Sequence, residues 1–299
     1  MNGTMSATPV TLADIEAAAA RIAGRVVRTP TLHSITLSKM TGAQVWLKFE
    51  NLQFTAAYKE RGALNKLLTM DPVARDNGVI AASAGNHAQG LAYHGARLGV
   101  PVTIVMPTTT PTNKVMQTEG HGATVVLHGE TFDAAYTHAR ELEIERSLTF
   151  VHPFDDADII AGQGTIALEM LADAPAIDTM AIPIGGGGLL SGVGTAAKAL
   201  KPAIDIIGVQ AELYPSMYAL LGGHDLPSQG DTLAEGIAVK ILRNLGCDLF
   251  KLKKAVEDTV RSSGGTLTVG NIPLTKQAEK VLKITYLEAK LYKSDVIGT

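Results

Sequence analysis

From residue 79 to residue 209, six short apolar runs alternate with five helix-length segments. The runs occupy 79–82, 102–106, 123–127, 149–151, 179–184 and 204–209. The segments between them, 86–98, 111–119, 132–146, 160–171 and 189–200, read as helices, the second with Pro111 at its start. Strands separated by helices must be joined by crossovers. That predicts right-handed βαβ units and an α/β fold built on mostly parallel sheets with flanking helices. Upstream, Thr11 with Asp14 three residues later reads as a helix start, and the alanines that follow favour helix up to Arg21. Pro30 pushes Thr29 toward an extended backbone, residues 34–40 suit a short helix, and 44–49 read as a buried strand.

In an open α/β sheet, ligands bind beyond the carboxyl ends of the strands, where helix starts supply free amides. Three loops answer to that position. The first, residues 50–62, places Lys59 where the 44–49 strand hands over to a helix. Flanked by Ala56, Ala57 and Tyr58, its amine is predicted to be partly desolvated and so to lose its proton more easily. A neutral amine there can attack a carbonyl and form a Schiff base, although most lysines are simply surface residues. The second loop is Ser83, Ala84, Gly85, Asn86 and His87, continuing as Ala88, Gln89 and Gly90. Its small residues let backbone approach a ligand, and amides at the helix start could hold a carboxylate. Helix capping by Ser83 or Asn86 is the plainer reading of one polar residue there, not of the whole run. The third is Gly185, Gly186, Gly187, Gly188 and Leu189. Four glycines cost entropy on ordering, which suits backbone that wraps a phosphate. The run is neither a dinucleotide fingerprint nor a P-loop. An amine, a carboxylate cradle and a phosphate cradle together describe a phosphorylated aldehyde that condenses with amino acids, pyridoxal phosphate.

These stretches (KFENLQFTAAYKERGA, SAGNHAQG and GGGGL), together with AEGIAVK at 234–240, resemble the fold-type II pyridoxal-phosphate enzymes, which are tryptophan synthase β-like. Within them the chain is similar to the threonine dehydratase (threonine ammonia-lyase) and serine racemase branch over about residues 11–240. The resemblance implies that Lys59 carries the cofactor and serves as base at the substrate α-carbon. It implies that Asn86 bonds the cofactor's ring hydroxyl, that Gly185, Gly186, Gly187, Gly188 and Leu189 bind its phosphate, and that Gly236 lies beside its ring. Residues Ser83, Ala84, Gly85, Asn86 and His87 would hold the substrate carboxylate. The implied reaction is dehydration and deamination of L-threonine, or L-serine, to a 2-oxo acid and ammonia, in amino-acid metabolism such as isoleucine biosynthesis. Relatives of this kind commonly pair, so a homodimer is in view.

Three departures bear on the branch. Ala84 stands where the family's racemases carry a serine base, so racemisation is expected to be poor. Ala57 replaces the usual serine before the aromatic–lysine pair. Gln210 stands where metal-binding relatives carry a glutamate, which argues against a cation site. A cysteine synthase would carry a threonine-rich substrate loop in place of SAGNHAQG.

Beyond residue 240 the glycine- and alanine-rich style ends. Residues 242–299 resemble the start of the helical N-terminal domain of Clp-type chaperone ATPases. The family's late Ser/Cys-Gly-Gly-Asn strand is missing, with Val269, Gly270 and Asn271 only an echo. The expected organisation is a catalytic region over 1–240, C-terminally incomplete, joined to a short helical segment over 241–299. That leaves a non-catalytic cofactor-binding remnant, or an interaction protein working through its helical tail, as the alternative function.

The net charge of −3 offers no basic field for nucleic acid. The single cysteine, Cys247, fits a reducing compartment, and the first ten residues lack a basic start followed by an apolar run. No apolar stretch approaches the ~20 residues of a membrane span. These features predict a cytoplasmic protein with a small-molecule substrate.

Overall fold

The computed structural model describes residues 10–211 and 217–218. The junction expected after residue 240, the helical segment expected over 241–299 and Gly236 lie outside them.

Local sequence sets the elements. Helix α1 (Leu12–Ile22) starts at Thr11, whose hydroxyl accepts from the Asp14 amide while the Asp14 carboxylate accepts from Thr11 N–H, a reciprocal capping box. Strand β1 (Thr31–His33) and strand β2 (Trp46–Lys48) form an antiparallel ribbon, with α2 (Ile35–Thr41) between them. The strand expected before Lys59 is therefore shorter than predicted, and it is not part of a parallel sheet. A short 3-10 turn (Glu50–Leu52) and an irregular loop intervene before α3 (Lys59–Thr69). Helix α4 (Pro72–Asn77), capped by Asp71, was not legible in the spacing of its six residues.

The main sheet follows the predicted alternation: β3 (Val79–Ala82), α5 (Asn86–Leu98), β4 (Val102–Met106), α6 (Thr112–Gly120), β5 (Thr124–Leu127), α7 (Phe132–Glu145) and β6 (Thr149–Phe150). Its four strands are all parallel, in the order β5-β4-β3-β6. Val79, Ala81 and Ile104 face a core shared with α3 and α5, while Ile80, Ala82 and Val105 face α7. The period of two along each strand thus buries both faces. The chain runs outward from β3 to β5 and returns beside β3 as β6. The switch in strand order falls between β3 and β6, and the two loops that diverge at their carboxyl ends mark the place where such sheets bind ligands.

After the sheet come α8 (Ala157–Asp173), β7 (Thr179–Ile184), α9 (Gly188–Leu200) and β8 (Asp205–Gln210), with β7 and β8 paired in parallel. Helix α8 joins the two halves through glycine contacts. A Cβ on Gly162 would lie 2.5 Å from the Gly62 Cα of α3, and one on Gly164 would lie 2.9 Å from the Gly192 carbonyl oxygen of α9. Backbone meets backbone at both crossings, so α8 fixes the start of α3 relative to the start of α9. Arg61, fully buried, ties the same helices electrostatically. Its guanidinium donates to Glu50 at 2.8 Å and to Glu169 at 2.7 and 2.9 Å, and Lys48 reaches Glu169 at 2.5 Å.

Candidate active site

Lys59 is the first residue of α3, and no side chain caps that helix. The loop before it turns through Ala56 at φ 55°, a left-handed conformation that costs an alanine about 1–2 kcal/mol. Buried Glu60 holds the turn: one carboxylate oxygen accepts from the Thr55 amide and the other lies 3.3 Å from His94 Nε2 on α5. The Lys59 side chain is thereby turned to the switch point, where Nζ donates to the Pro153 carbonyl at 2.6 Å. Burial pulls its pKa down to about 8. Burial also pushes the neighbouring Tyr58 up to about 12, so its phenol stays neutral.

Pro153 belongs to the loop from β6 to α8, one of the two loops at the switch point. Its neighbour Phe154 lies against the third loop. A Cβ on Gly186 would lie 2.3–2.4 Å from three atoms of the Phe154 ring, and one on Gly188 would lie 2.5 Å from the Phe154 carbonyl oxygen. Gly187 has φ 90° and forms the cap of α9 without a side-chain bond, so only glycine suits it. Gly185 has open space around its Cβ position. Two consecutive residues, with Cα atoms ~3.8 Å apart across a trans peptide, thus touch the lysine amine on one side and the tetraglycine turn on the other. The amine and the glycine turn expected to share one ligand are held against neighbouring residues.

The second loop leaves β3 on the other side of the switch point. Ser83 Oγ accepts from the Gly85 amide at 3.3 Å, closing the loop on itself rather than capping α5, whose N-cap is Gly85 with no side-chain bond. Asn86 opens α5 with its side chain exposed, free to meet a ligand. Ala84 is half-buried against the α3–α5 core. His87 was expected to help hold the substrate carboxylate. The ring is buried and bonded to the Val151 carbonyl at 3.1 Å, and burial, with the Lys59 charge second, pushes its pKa down to about 3. It braces the loop from behind, and only its backbone amide is left for a ligand. Among the described residues, α1, α2, α4, α7 and α8 have side-chain caps, whereas α3, α5 and α9, the helices of the three loops, have none; α6 also lacks one. The Arg61 amide of α3 donates to the Tyr58 carbonyl and the Gly62 amide to Gln163, so the uncapped starts of α5 and α9 are the better places for an anion.

Gln210, at the end of β8, donates to the Gly185 carbonyl at 3.4 Å and accepts from the amides of Met217 and Tyr218 at 3.1 Å. Sequence reasoning missed the 152–155 turn. Its signal was the one used for the other loops, a strand end running into a helix start.

A desolvated lysine amine, a tetraglycine turn at an uncapped helix start with open space at Gly185, and a second uncapped helix start suit a phosphorylated aldehyde held on a lysine. The residues present fit that group: a Cβ would crowd the cradle at Gly186 and Gly188, and the amine is poised near neutrality. The comparisons agree. The model of the family described as "Pyridoxal-phosphate dependent enzyme" matches residues 22–264, 24 residues past the boundary expected at 240. The chain is 42% identical over 294 residues to an L-threonine ammonia-lyase of Thermotoga maritima, covering 97% of this chain and 73% of that protein. It is 45% identical over 235 residues to an L-threonine dehydratase, catabolic TdcB, of Staphylococcus aureus, covering 78% and 68%. Among solved structures, maize serine racemase superposes with a TM-score of 0.72 at 33% identity over 76% of this chain and 70% of that one. The processed threonine deaminase isoform 2 of Solanum lycopersicum gives 0.70 at 40%, over 77% and 66%. The chain belongs to the pyridoxal-phosphate-dependent enzymes, with the fold-type II architecture.

Proposed function

We propose that this chain deaminates L-threonine to 2-oxobutanoate and ammonia, with L-serine as a second substrate. When bound, the cofactor supplies an electron sink that acidifies the substrate's α-carbon. Lys59 carries it, and its Nζ, neutral in a useful fraction at pH 7, takes the α-proton. The amides of Gly185 to Gly188 and Leu189, at the start of α9, hold the phosphate, and Asn86 donates to the ring hydroxyl. The loop after β3, from Ser83 to His87, holds the substrate carboxylate through the amides not already given to the Val105 carbonyl and Ser83 Oγ, and so orients the α-hydrogen toward Lys59. Gly236, outside the described residues, would lie beside the ring. Ala84 offers no proton on the opposite face, which favours elimination over racemisation.

What supports this reading most directly is the meeting of the Lys59 amine and the tetraglycine turn at Pro153 and Phe154. The names of the Thermotoga and Staphylococcus relatives supply threonine, and the latter, "catabolic", favours breakdown over isoleucine biosynthesis. No helix among the described residues is long and apolar enough to cross a membrane; we place the reaction in the cytoplasm, in a homodimer. The test is purified protein loaded with cofactor and given L-threonine. We expect 2-oxobutanoate and ammonia in equal amounts, and none from Lys59→Ala. A loaded protein that binds threonine yet releases no 2-oxo acid refutes the lyase reading and favours the cofactor-binding remnant.

A further inference from the structure

The turn that presents Pro153 and Phe154 to the site has a titratable side chain at its root. His152 Nδ1 accepts from the Asp155 amide at 2.8 Å and from the Phe154 amide at 3.3 Å. An imidazole nitrogen can accept only while it carries no proton. The ring also stands edge-on to the Phe154 ring, with centroids 4.6 Å apart. One side chain therefore fixes both contacts at the switch point: the Pro153 carbonyl on Lys59 and the Phe154 ring on Gly186.

We propose that His152 is a positioning residue for Lys59 and the cofactor cradle, acting through an unprotonated Nδ1 that holds the 152–155 turn in place. The inference rests on Lys59 being the residue that carries the cofactor. The geometry is that of an Asx turn, with Nδ1 where an asparagine would put its Oδ1, so a non-titrating mimic exists. The charged groups around the ring are Asp155 and Asp156 on its own turn and the following cap, Lys59 from α3, His87 from α5 and Arg140 from α7. Burial depresses His152 most, the two aspartates oppose this, and Lys59 and Arg140 reinforce it, for a net lowering that keeps Nδ1 free at neutral pH. Protonation in acid takes away the acceptor of two amides and repels Lys59. The turn then releases the amine, and the site loses its hold on the cofactor.

The experiment compares wild type, His152→Ala and His152→Asn. Equilibrium binding of pyridoxal phosphate to apoprotein is read from pH 5 to 9, and the pH midpoint of Lys59 acylation is read by mass spectrometry without cofactor. Loss of two net hydrogen bonds predicts about thirtyfold weaker cofactor binding in His152→Ala at pH 7.5. Its Lys59 midpoint should move up toward the ordinary lysine value as the amine gains solvent. His152→Asn should stay within about threefold of wild type, a difference under one such bond, and should lose the acid limb below the ordinary histidine range. If His152→Ala does not fold, the acid limb of His152→Asn alone decides. Equal binding and equal midpoints in all three proteins, or an acid limb that persists in His152→Asn, overturns the proposal. Peptide mapping of the reduced, cofactor-labelled protein separates the two readings. A label on another lysine sinks the assignment of Lys59, whereas a label on Lys59 with unchanged binding in the variants sinks only His152. Absence of threonine turnover touches neither.

Discussion

The depressed pKa of Lys59 is the physical quantity on which the site's chemistry turns, and pH is the cleanest perturbation of it. Burial brings the amine to about 8. At pH 7 such an amine is neutral in roughly one molecule in eleven, against about one in three thousand for an ordinary lysine near 10.5, a gain of ~300-fold in the reactive form. The linkage runs one way. The folded amine is the weaker base, so from about pH 8 to 10.5 the unfolded chain holds the extra proton and stability rises with pH; below pH 8 the penalty stands in full. That penalty is at most about 3 kcal/mol and is smaller in practice, because the side chain keeps some solvent. The assay is competitive acylation of the apoprotein with trace acetic anhydride from pH 6 to 11, followed by mass spectrometry of the peptide bearing Lys59. We expect a midpoint near 8 in the native protein, moving to the ordinary lysine range in urea. A native midpoint above 10 would mean that the fold does not desolvate the amine, and the reasoning that makes Lys59 both anchor and base would fail.

Glu169→Gln should leave Arg61 and Lys48 buried without their shared anion and cost about 3–5 kcal/mol, read from the urea midpoint. Burial raises the Glu169 carboxyl but its bonds to Arg61 and Lys48 outweigh that, for a net lowering. Its contribution is therefore complete above the ordinary pKa of 4.5 and is lost as pH falls through the lower folded value; the variant should show a shallower acid limb. Gly162→Ala puts a methyl 2.5 Å from the Gly62 Cα and 2.7 Å from the Arg61 carbonyl oxygen. Neither can rotate away, so thermal unfolding should fall by at least the ~1–3 kcal/mol of an overpacked core. Ala84→Ser should raise the release of D-allothreonine or D-serine from the L substrates, measured by chiral chromatography; no rise at all would remove Ala84 as the reason for poor racemisation.

The alternation of apolar runs and helices was enough to place β3, α5, β4 and β7 with their observed ends, and Thr11, Ser34 and Pro111 marked starts that the structure keeps. Such features depend on neighbours within a turn or two of backbone, and sequence spacing carries them. The run 44–49 showed β2, but β1 and the antiparallel pairing of the two stayed hidden, because three residues are too few to display a period. The loop 83–87 was read as a carboxylate cradle, but its spacing does not say which way the His87 ring turns; that depends on what lies behind it, here the Val151 carbonyl 64 residues away.

The sequence by itself determined the chemical inventory, a lysine at a helix start, a small-residue loop and a tetraglycine turn, because residue type and backbone freedom are local properties. Only the tertiary structure decided that these share one site. The return of β6 beside β3 creates the switch point, and the glycine crossings of α8 bring the starts of α3 and α9 to the same two residues, Pro153 and Phe154. Contacts between segments some hundred residues apart are set by how whole faces pack, and no local spacing encodes them.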